Sequence, residues 1–563
     1  MNEHAILHTM DSEMSFPISE NEIVIRIRTS KFDSLEITLI YGPKFTYHIN
    51  RYEEKMTLKY EDKLFNYFEV KLHLSDDRLA YIFKIEENEE IYYFSEDGVS
   101  KSYNFDLGFY NYFQMPSINK ADIMQNVEWM KSAVFYQIFV DRFNRGDYKK
   151  DESYINTKWL DLPTPTSFSG GDLQGIIDKL DYIKDLGVNT LYLTPIFTSP
   201  SNHKYDIIDY YEVDPQFGNK EVLKLLVEKA HQKGIKIVLD AVFNHISNEN
   251  LIFKEAKELG KDSKYFDWFT IEGDYIDEKK VNYKTFSIVD YMPRLNTSNK
   301  DVQDYLINIG KYWIEEFDID GWRLDVSDEV SHKFWRRFRD SIKKVKKDAV
   351  LIGENWHDAS SYLQGDQFDS IMNYSFTKAS LDYFCNKSNA KNTAFKLNSI
   401  LMRNKDQANR MNLNLIDTHD THRFYTEVGL NKDKVLAAIA LMTIYLGAPC
   451  LYYGTEIFLE GGYDPDSRRT FNWDLVDDNI FHIDKIKSIF KLKELLAIQE
   501  GDINIKHDKD ILIIKRTYKN EELELYINLG KDRKLEVNDS MVLSSNNYTK
   551  ATIENNGYLV ISK

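Results

Sequence analysis

The sequence predicts a multidomain protein with a central (β/α)8 TIM barrel that carries an inserted subdomain, preceded and followed by all-β domains. Eight short apolar runs recur between about residues 133 and 453, with amphipathic helical segments between several of them. Eight parallel strands is the number that closes a barrel with helices outside. Strand-like text comes before that stretch and returns after it. At 563 residues and 66.4 kDa the chain also exceeds a single core, since domains run to about 100–200 residues.

From about Glu22 to Phe113, EIVIRIRTS, LEITLIYG, FNYFEVKLHL and LAYIFKIEENEEIYYF cluster β-branched and aromatic residues between turn-like breaks, which predicts a β-sandwich. The barrel strands are expected at Ala133–Val140, Asn189–Thr194, Ile235–Asp240, Gly321–Val326, Val350–Glu354, Ser370–Tyr374, Leu413–Thr418 and Ala448–Tyr453. Helical periodicity is clear in DVQDYLINIGKYWIEEF, where Val302, Tyr305, Leu306, Ile309 and Trp313 share a face. The segment from Asn244 to about Asn296 is too long for an ordinary loop and reads as a small inserted subdomain that shapes a site. The charge-free stretch Val435–Thr455 is long enough to cross a membrane. Gly447, Ala448 and Pro449 divide it, so it reads instead as a buried helix followed by a barrel strand. The expected domains are 1–122 (β-sandwich), 123–480 (barrel, with the insertion at about 245–297) and 481–563 (a C-terminal β domain built on DILIIKRTY, LELYINLG and GYLVISK).

With 42% hydrophobic and 29% charged residues, 24 Gly and 11 Pro, the chain is neither disordered nor collagen-like. Its net charge of −18 repels phosphate backbones, which excludes nucleic acid as a partner class and leaves a neutral substrate unaffected. Two cysteines, Cys385 and Cys450, make no disulfide framework and no zinc site, and fit a reducing compartment. The opening MNEHAILHTMDSEMSF has no basic region followed by an apolar one, so a cytoplasmic location without a membrane partner is expected.

In such a barrel, catalytic groups sit at the C-terminal ends of strands. Asp325, Glu354 and Asp420 lie at or beyond the ends of apolar runs, 29 and 66 positions apart, which is about one and two βα units. They therefore face a common centre. Two carboxylates in one pocket suit glycosidic-bond cleavage, one as nucleophile or base and the other as the acid that protonates the leaving oxygen. Arg323 and Asp325 are two apart on one strand and point to the same side, which favours the ionised carboxylate and marks Asp325 as nucleophile. Glu354, beside Trp356, is expected to be partly desolvated and to serve as acid/base. Asp420, with His419 beside it, suits the gripping of hydroxyls and the support of positive charge at the anomeric carbon.

DAVFNH (240–245), GWRLDVSDE (321–329), GENWH (353–357) and THD (418–420), in this order, resemble the four conserved regions of the α-amylase family of glycoside hydrolases. MPRLN (292–296), HKYDIIDY (203–210) and GGYDPDSRR (461–469) resemble its neopullulanase, cyclomaltodextrinase and maltogenic amylase subgroup. The resemblance spans about Ala133 to Trp473, and the leading sandwich resembles that subgroup's starch-binding-like domain. It implies the same three roles for Asp325, Glu354 and Asp420. It implies that Arg323, His245 and His419 hold the sugar at the cleavage site, that Tyr205 is the platform beneath it, and that Asp464 and Arg468 close the non-reducing side. Phe286 and Trp356 match aromatics on the leaving-group side. Read alone, Phe286 also fits a packing role in the insertion, and Asp240 reads as structural. The resemblance further implies α-1,4-linked maltooligosaccharides, cyclodextrins, pullulan or starch as substrates, some α-1,6 cleavage, and a homodimer formed through the N-terminal domain.

The sequence departs from the family in two places. Where relatives often carry a calcium loop, DRFNRGDYKKDES has Arg145 and Lys150, while Asp147, Asp151, Gly170 and Asp172 remain. Neither cation can supply a side-chain oxygen, so no metal is expected and a cationic side chain is expected in its place. His422 stands where relatives often have Pro or Glu. The reading is a retaining α-glucan hydrolase. Its rivals are a transglycosidase using the same residues and a non-catalytic carbohydrate-binding subunit.

Overall fold

The computed structural model describes residues 1–107, 111–535, 540–545, 547–549 and 551–562. The N-terminal domain is a sandwich of two antiparallel sheets. One has the strand order Ser15–Ser19, Glu22–Ser30, Phe65–His73, Thr57–Glu61. The other runs Tyr52–Lys55, Glu36–Pro43, Leu79–Glu87, Glu90–Ser95, Gly98–Ser100, with Phe113–Met115 on Leu79–Glu87. Alternate side chains face inward, Ile23, Ile25 and Ile27 from the first sheet against Leu39, Tyr81 and Phe83 from the second. Arg26 ties this domain to the barrel. It is fully buried and pairs with Glu69 (2.7 Å) on its own sheet and with Asp406 (2.5 Å) of the barrel layer.

The barrel strands are β1 (Phe135–Ile138), β2 (Thr190–Leu193), β3 (Lys236–Ala241), β4 (Gly321–Leu324), β5 (Val350–Gly353), β6 (Ser370–Ile371), β7 (Leu413–Leu415) and β8 (Ala448–Tyr452). All eight fall on the expected runs. They pair in parallel in the order β6-β5-β4-β3-β2-β1-β8-β7, and a parallel bridge from Met372 to Leu413 joins the two ends. The period of two sorts each strand. Tyr136, Leu191, Leu239, Trp322 and Leu351 pack outward on the helices, whereas Phe135, Tyr192, Val238, Val350 and Ile352 fill the interior.

Helices such as Lys220–Gln232, Lys300–Phe317 and His332–Val345 cover the barrel, with Asn219 and Asn299 capping the first two. Between β5 and β6 the connection is a single 3-10 turn, Ser360–Tyr362. The stretch 435–455 is the helix Lys432–Ile444 followed by β8. That helix is apolar on all sides because it is packed between β8, the helix Ile480–Lys491 and the C-terminal domain. Among the described residues no helix is long and apolar enough to cross a membrane.

The insertion after β3 holds the helix Leu251–Leu259 and a hairpin, Thr285–Phe286 with Val289–Pro293. The boundary expected at residue 481 falls inside the helix Ile480–Lys491, which buries Ile483, Ile486, Ile489 and Phe490 in the barrel core. Strands resume only at Asp502, in a sheet ordered Asp502–Asp508, Ile511–Tyr518, Glu521–Asn528, Gly557–Ser562, Ser540–Ser544.

Candidate active site

The C-terminal rim of the barrel opens into a cleft of about 620 Å3, within the usual range for small-ligand sites. Its walls include all three acids together with Tyr205, His245, Phe286, Trp356, Asp464 and Arg468. Arg323 and His419, the two remaining expected residues, contact its lining, Arg323 at Asp325 and Glu354 and His419 at Tyr205. The expected site residues are thus brought to one place by seven separate segments.

Asp325 is the first residue beyond β4, and Glu354 the first beyond β5. The Asp325 N–H donates to the Ala241 carbonyl of β3 and the Glu354 N–H to the Leu324 carbonyl of β4, both at 3.0 Å. The barrel ladder thereby sets the two carboxylates side by side. Between them lies Val326, a β-branched residue held at φ 45°, a strained conformation that persists only where surrounding structure enforces it. Its N–H donates to Glu354 Oε2 at 2.9 Å.

Arg323 organises the floor. Nη1 donates to Asp240 Oδ1 and Oδ2 (2.9 and 3.0 Å) and to Asp325 Oδ1 (2.7 Å), while Nη2 forms an ion pair with Glu354 Oε2 at 2.8 Å. Asp240 also accepts from Tyr192 (2.8 Å) and Tyr205 (2.9 Å). Its structural role is therefore to aim the guanidinium and the Tyr205 ring. Burial pushes Asp240 up to about 6 despite Arg323. Burial likewise pushes Asp325 well above the usual carboxylate range; Arg323 opposes this, and the charges of Glu354, Asp240 and Asp420 add to it. Arg323 thus favours the ionised carboxylate, as expected, but one guanidinium is shared by three carboxylates and burial outweighs it. Glu354 is buried, 5% exposed, as the expected partial desolvation requires, although Trp356 is not what covers it. Trp356 is 44% exposed and stacks on Tyr374 (3.9 Å between centroids, 5° between planes), leaving Glu354 to Arg323 and the Val326 N–H.

Across the cleft, Gln137 Nε2 donates to His419 Nδ1 at 2.7 Å, which leaves the Nε2–H facing the Tyr205 hydroxyl at 2.6 Å. Burial holds His419 well below the usual imidazole range. It lowers His203 and His245 to about 3 as well, so all three rings are neutral hydrogen-bonding groups. Arg468 reaches both Asp420 Oδ1 (3.2 Å) and Asp464 Oδ1 (2.9 Å) and fixes this side of the cleft. On the other side Phe286 stacks on His245 (4.6 Å, 23°), so the insertion hairpin lines the cleft as well as packing the insertion.

Four contributors were not expected as site residues. Gln137 and Tyr192 are inward-facing positions of β1 and β2, Tyr374 lies just beyond β6, and His203 opens the HKYD motif. Strand alternation carried to the rim is the signal that finds the first two.

The residues proposed to surround calcium do not fit that ion. Gly170 O and Asp172 Oδ2 both accept from Lys150 Nζ at 2.8 Å. Asp147 and Asp151 accept N–H groups of their own loop, from Lys149 and Ser153. An ammonium thus lies on the oxygens of Gly170 and Asp172, while Asp147 and Asp151 are turned to their own loop.

Residues 137–501 match the model of the α-amylase catalytic domain, and residues 1–119 that of the α-amylase N-terminal Ig-like domain. The chain belongs to the α-amylase family. A cyclomaltodextrinase of Thermoanaerobacter pseudethanolicus is 39% identical over 544 residues, covering 94% of this chain and 92% of the relative. An intracellular maltogenic amylase of Bacillus subtilis is 39% identical over 538 residues, covering 93% and 91%. Among solved structures, a cyclomaltodextrinase superposes with a TM-score of 0.91 at 34% identity, covering 100% of this chain and 98% of that one. This α-amylase family member thus aligns with its relatives through all three of its domains.

Proposed function

We propose that the cleft hydrolyses α-1,4-glucosidic bonds with retention of configuration, acting as a cyclomaltodextrinase, maltogenic amylase or neopullulanase. One observation carries this reading: Arg323 grips Asp325 with one end of its guanidinium and Glu354 with the other, opposite Asp420.

The Asp325 carboxylate attacks the anomeric carbon as the bond to the glycosidic oxygen breaks, and Glu354 gives its proton to that oxygen. Water then attacks the same carbon and gives a proton to Glu354, releasing Asp325. Two inversions amount to retention. Burial raises Asp240 and Asp325 above the ordinary carboxylate range, although one guanidinium is shared with Glu354. Positive charge growing on the anomeric carbon favours ionised Asp325 in the complex where it attacks. Asp420 and His419 take sugar hydroxyls, with Tyr205 beneath the ring. The exposed Trp356 and the hairpin's Phe286 offer flat faces to the leaving-group side, which suits curved glucans.

The substrates proposed are cyclodextrins, maltooligosaccharides and pullulan, with some α-1,6 cleavage. A homodimer formed through the N-terminal sandwich and a cytoplasmic location are proposed with them. The second is supported by the intracellular maltogenic amylase relative. Incubation with β-cyclodextrin, pullulan and amylose in parallel, following product size and anomer, tests the reading. Short α-anomers are expected first; β-anomers or unchanged substrate contradict it. Sedimentation at the mass of a single chain contradicts the dimer.

A further inference from the structure

Two buried lysines hold the loops at the mouth of the cleft, and they meet at one residue. Lys150 Nζ lies on the long loop between β1 and the helix Leu173–Asp178. It donates to Gly170 O (2.8 Å), Asp172 Oδ2 (2.8 Å) and the Gln216 carbonyl (2.9 Å). Lys204 Nζ lies on the loop after β2. It donates to the Gln216 side chain (2.6 Å) and the Ser199 carbonyl (3.2 Å), and pairs with Asp214 at 2.8 Å. Both side chains are almost wholly inaccessible, 7% and 1% exposed. Asp214 in turn accepts the Ser199 and Gln216 N–H groups (3.0 and 2.9 Å). Asn202 crosses from the second loop to the Pro165 and Ser167 carbonyls of the first (2.9 and 2.8 Å).

We propose that Lys150 and Lys204 are a linked pair of internal cations, joined through Gln216, that fixes these two loops and makes the site independent of a metal ion. An ammonium offers three donors, and Lys150 spends two on its own loop, at Gly170 and Asp172, and the third on Gln216 of the next one. Lys204 stands at φ 64°, a conformation a lysine adopts only under constraint. On either side of it His203 and Tyr205 line the cleft. Both lysines are positioning residues: neither faces the cleft, and each acts through the loop that presents His203 and Tyr205.

The loop clamp is read by unfolding, which does not depend on the proposed reaction. For the wild-type chain, Tm and KM for β-cyclodextrin are expected to be the same in EDTA and in calcium chloride. A Tm that falls in EDTA and returns with calcium overturns the proposal, whether or not any variant folds. Lys150→Met keeps the stem, removes the charge and takes the ammonium away from three oxygens, of which Asp172 Oδ2 and Gln216 O keep the Asp147 N–H and the Tyr154 hydroxyl. Its Tm is expected to fall by about 5 °C or more, and KM to rise about tenfold with a smaller change in kcat. Wild-type Tm and KM in that variant overturn the proposal. The combined loss in Lys150→Met/Lys204→Met is expected to be smaller than the two single losses added together. Strict additivity contradicts the link through Gln216.

Discussion

Arg323 Nη1 lies 2.7 Å from Asp325 Oδ1, and the two residues are two positions apart on one strand and its end. Arg323 is also held by Asp240 and Glu354, so it does not depend on Asp325 for its place. Asp325→Asn therefore leaves the floor of the cleft intact. Turnover is expected to fall by more than about 10³-fold, at least about 4 kcal/mol of barrel-site stabilisation of the transition state. Circular dichroism and Tm should stay near the wild-type values, and residual activity within tenfold of wild type would refute the assignment.

The pH dependence follows from the same cluster. Burial raises Asp325 well above the ordinary carboxylate range, and protonation of the nucleophile stops attack. The acid limb of kcat/KM should then rise with pH at a position above about pH 4. His203, His245 and His419 are already neutral there, because burial lowers each of them. His245→Asn should lower the height of the profile and leave the acid limb in place. An acid limb that moves in this variant would assign it to an imidazole.

Asp320 supplies a stability test away from the cleft. Burial alone would raise its pKa, but the hydrogen bond from His231, the Ile237 N–H and the charges of Lys346 and Lys236 outweigh it and hold the carboxyl well below the usual range. A depressed folded-state pKa gives stability that is present above the unfolded value, about 3.9, and lost as pH falls below it. Asp320→Asn removes one partner of a buried ionic group and should cost about 3–5 kcal/mol at pH 7. Wild type and variant should converge as pH is lowered under 4. Denaturant titrations at pH 7 and pH 3 check both statements, and an equal gap at the two pH values would contradict them.

Trp356 stands 44% exposed on Tyr374. Trp356→Ala removes a flat face that a sugar can cover, an interaction on the scale of about 0.5–1.5 kcal/mol. KM for cyclodextrin should rise about 3–10-fold, with a smaller change in kcat. A wild-type KM would show that the leaving-group side does not use this ring.

Eight barrel strands are legible in the sequence because a strand buried on both faces reads as an apolar run. The three acids are legible because they lie at or beyond the ends of such runs. The charge state of Asp325 is not legible. Its partner Arg323 is two residues away, whereas Asp240 and Glu354 lie 85 and 29 positions away and join it only when the barrel closes. Tyr374 escapes for a related reason, since β6 is only two residues long and gives no alternation from which to project a rim position. The boundary expected at 481 cuts a helix, IFHIDKIKSIFK, because strand motifs alone do not say which domain a preceding helix packs on.

The central claim is a covalent bond between the sugar and Asp325. Glu354→Gln treated with α-maltosyl fluoride tests it most directly, because fluoride departs without an acid while the missing base slows release of the sugar. Peptide mass mapping should find one maltosyl unit on Asp325, within the segment GWRLDVSDE. A maltosyl unit on any other residue, or β-maltose formed with no adduct, would contradict the account.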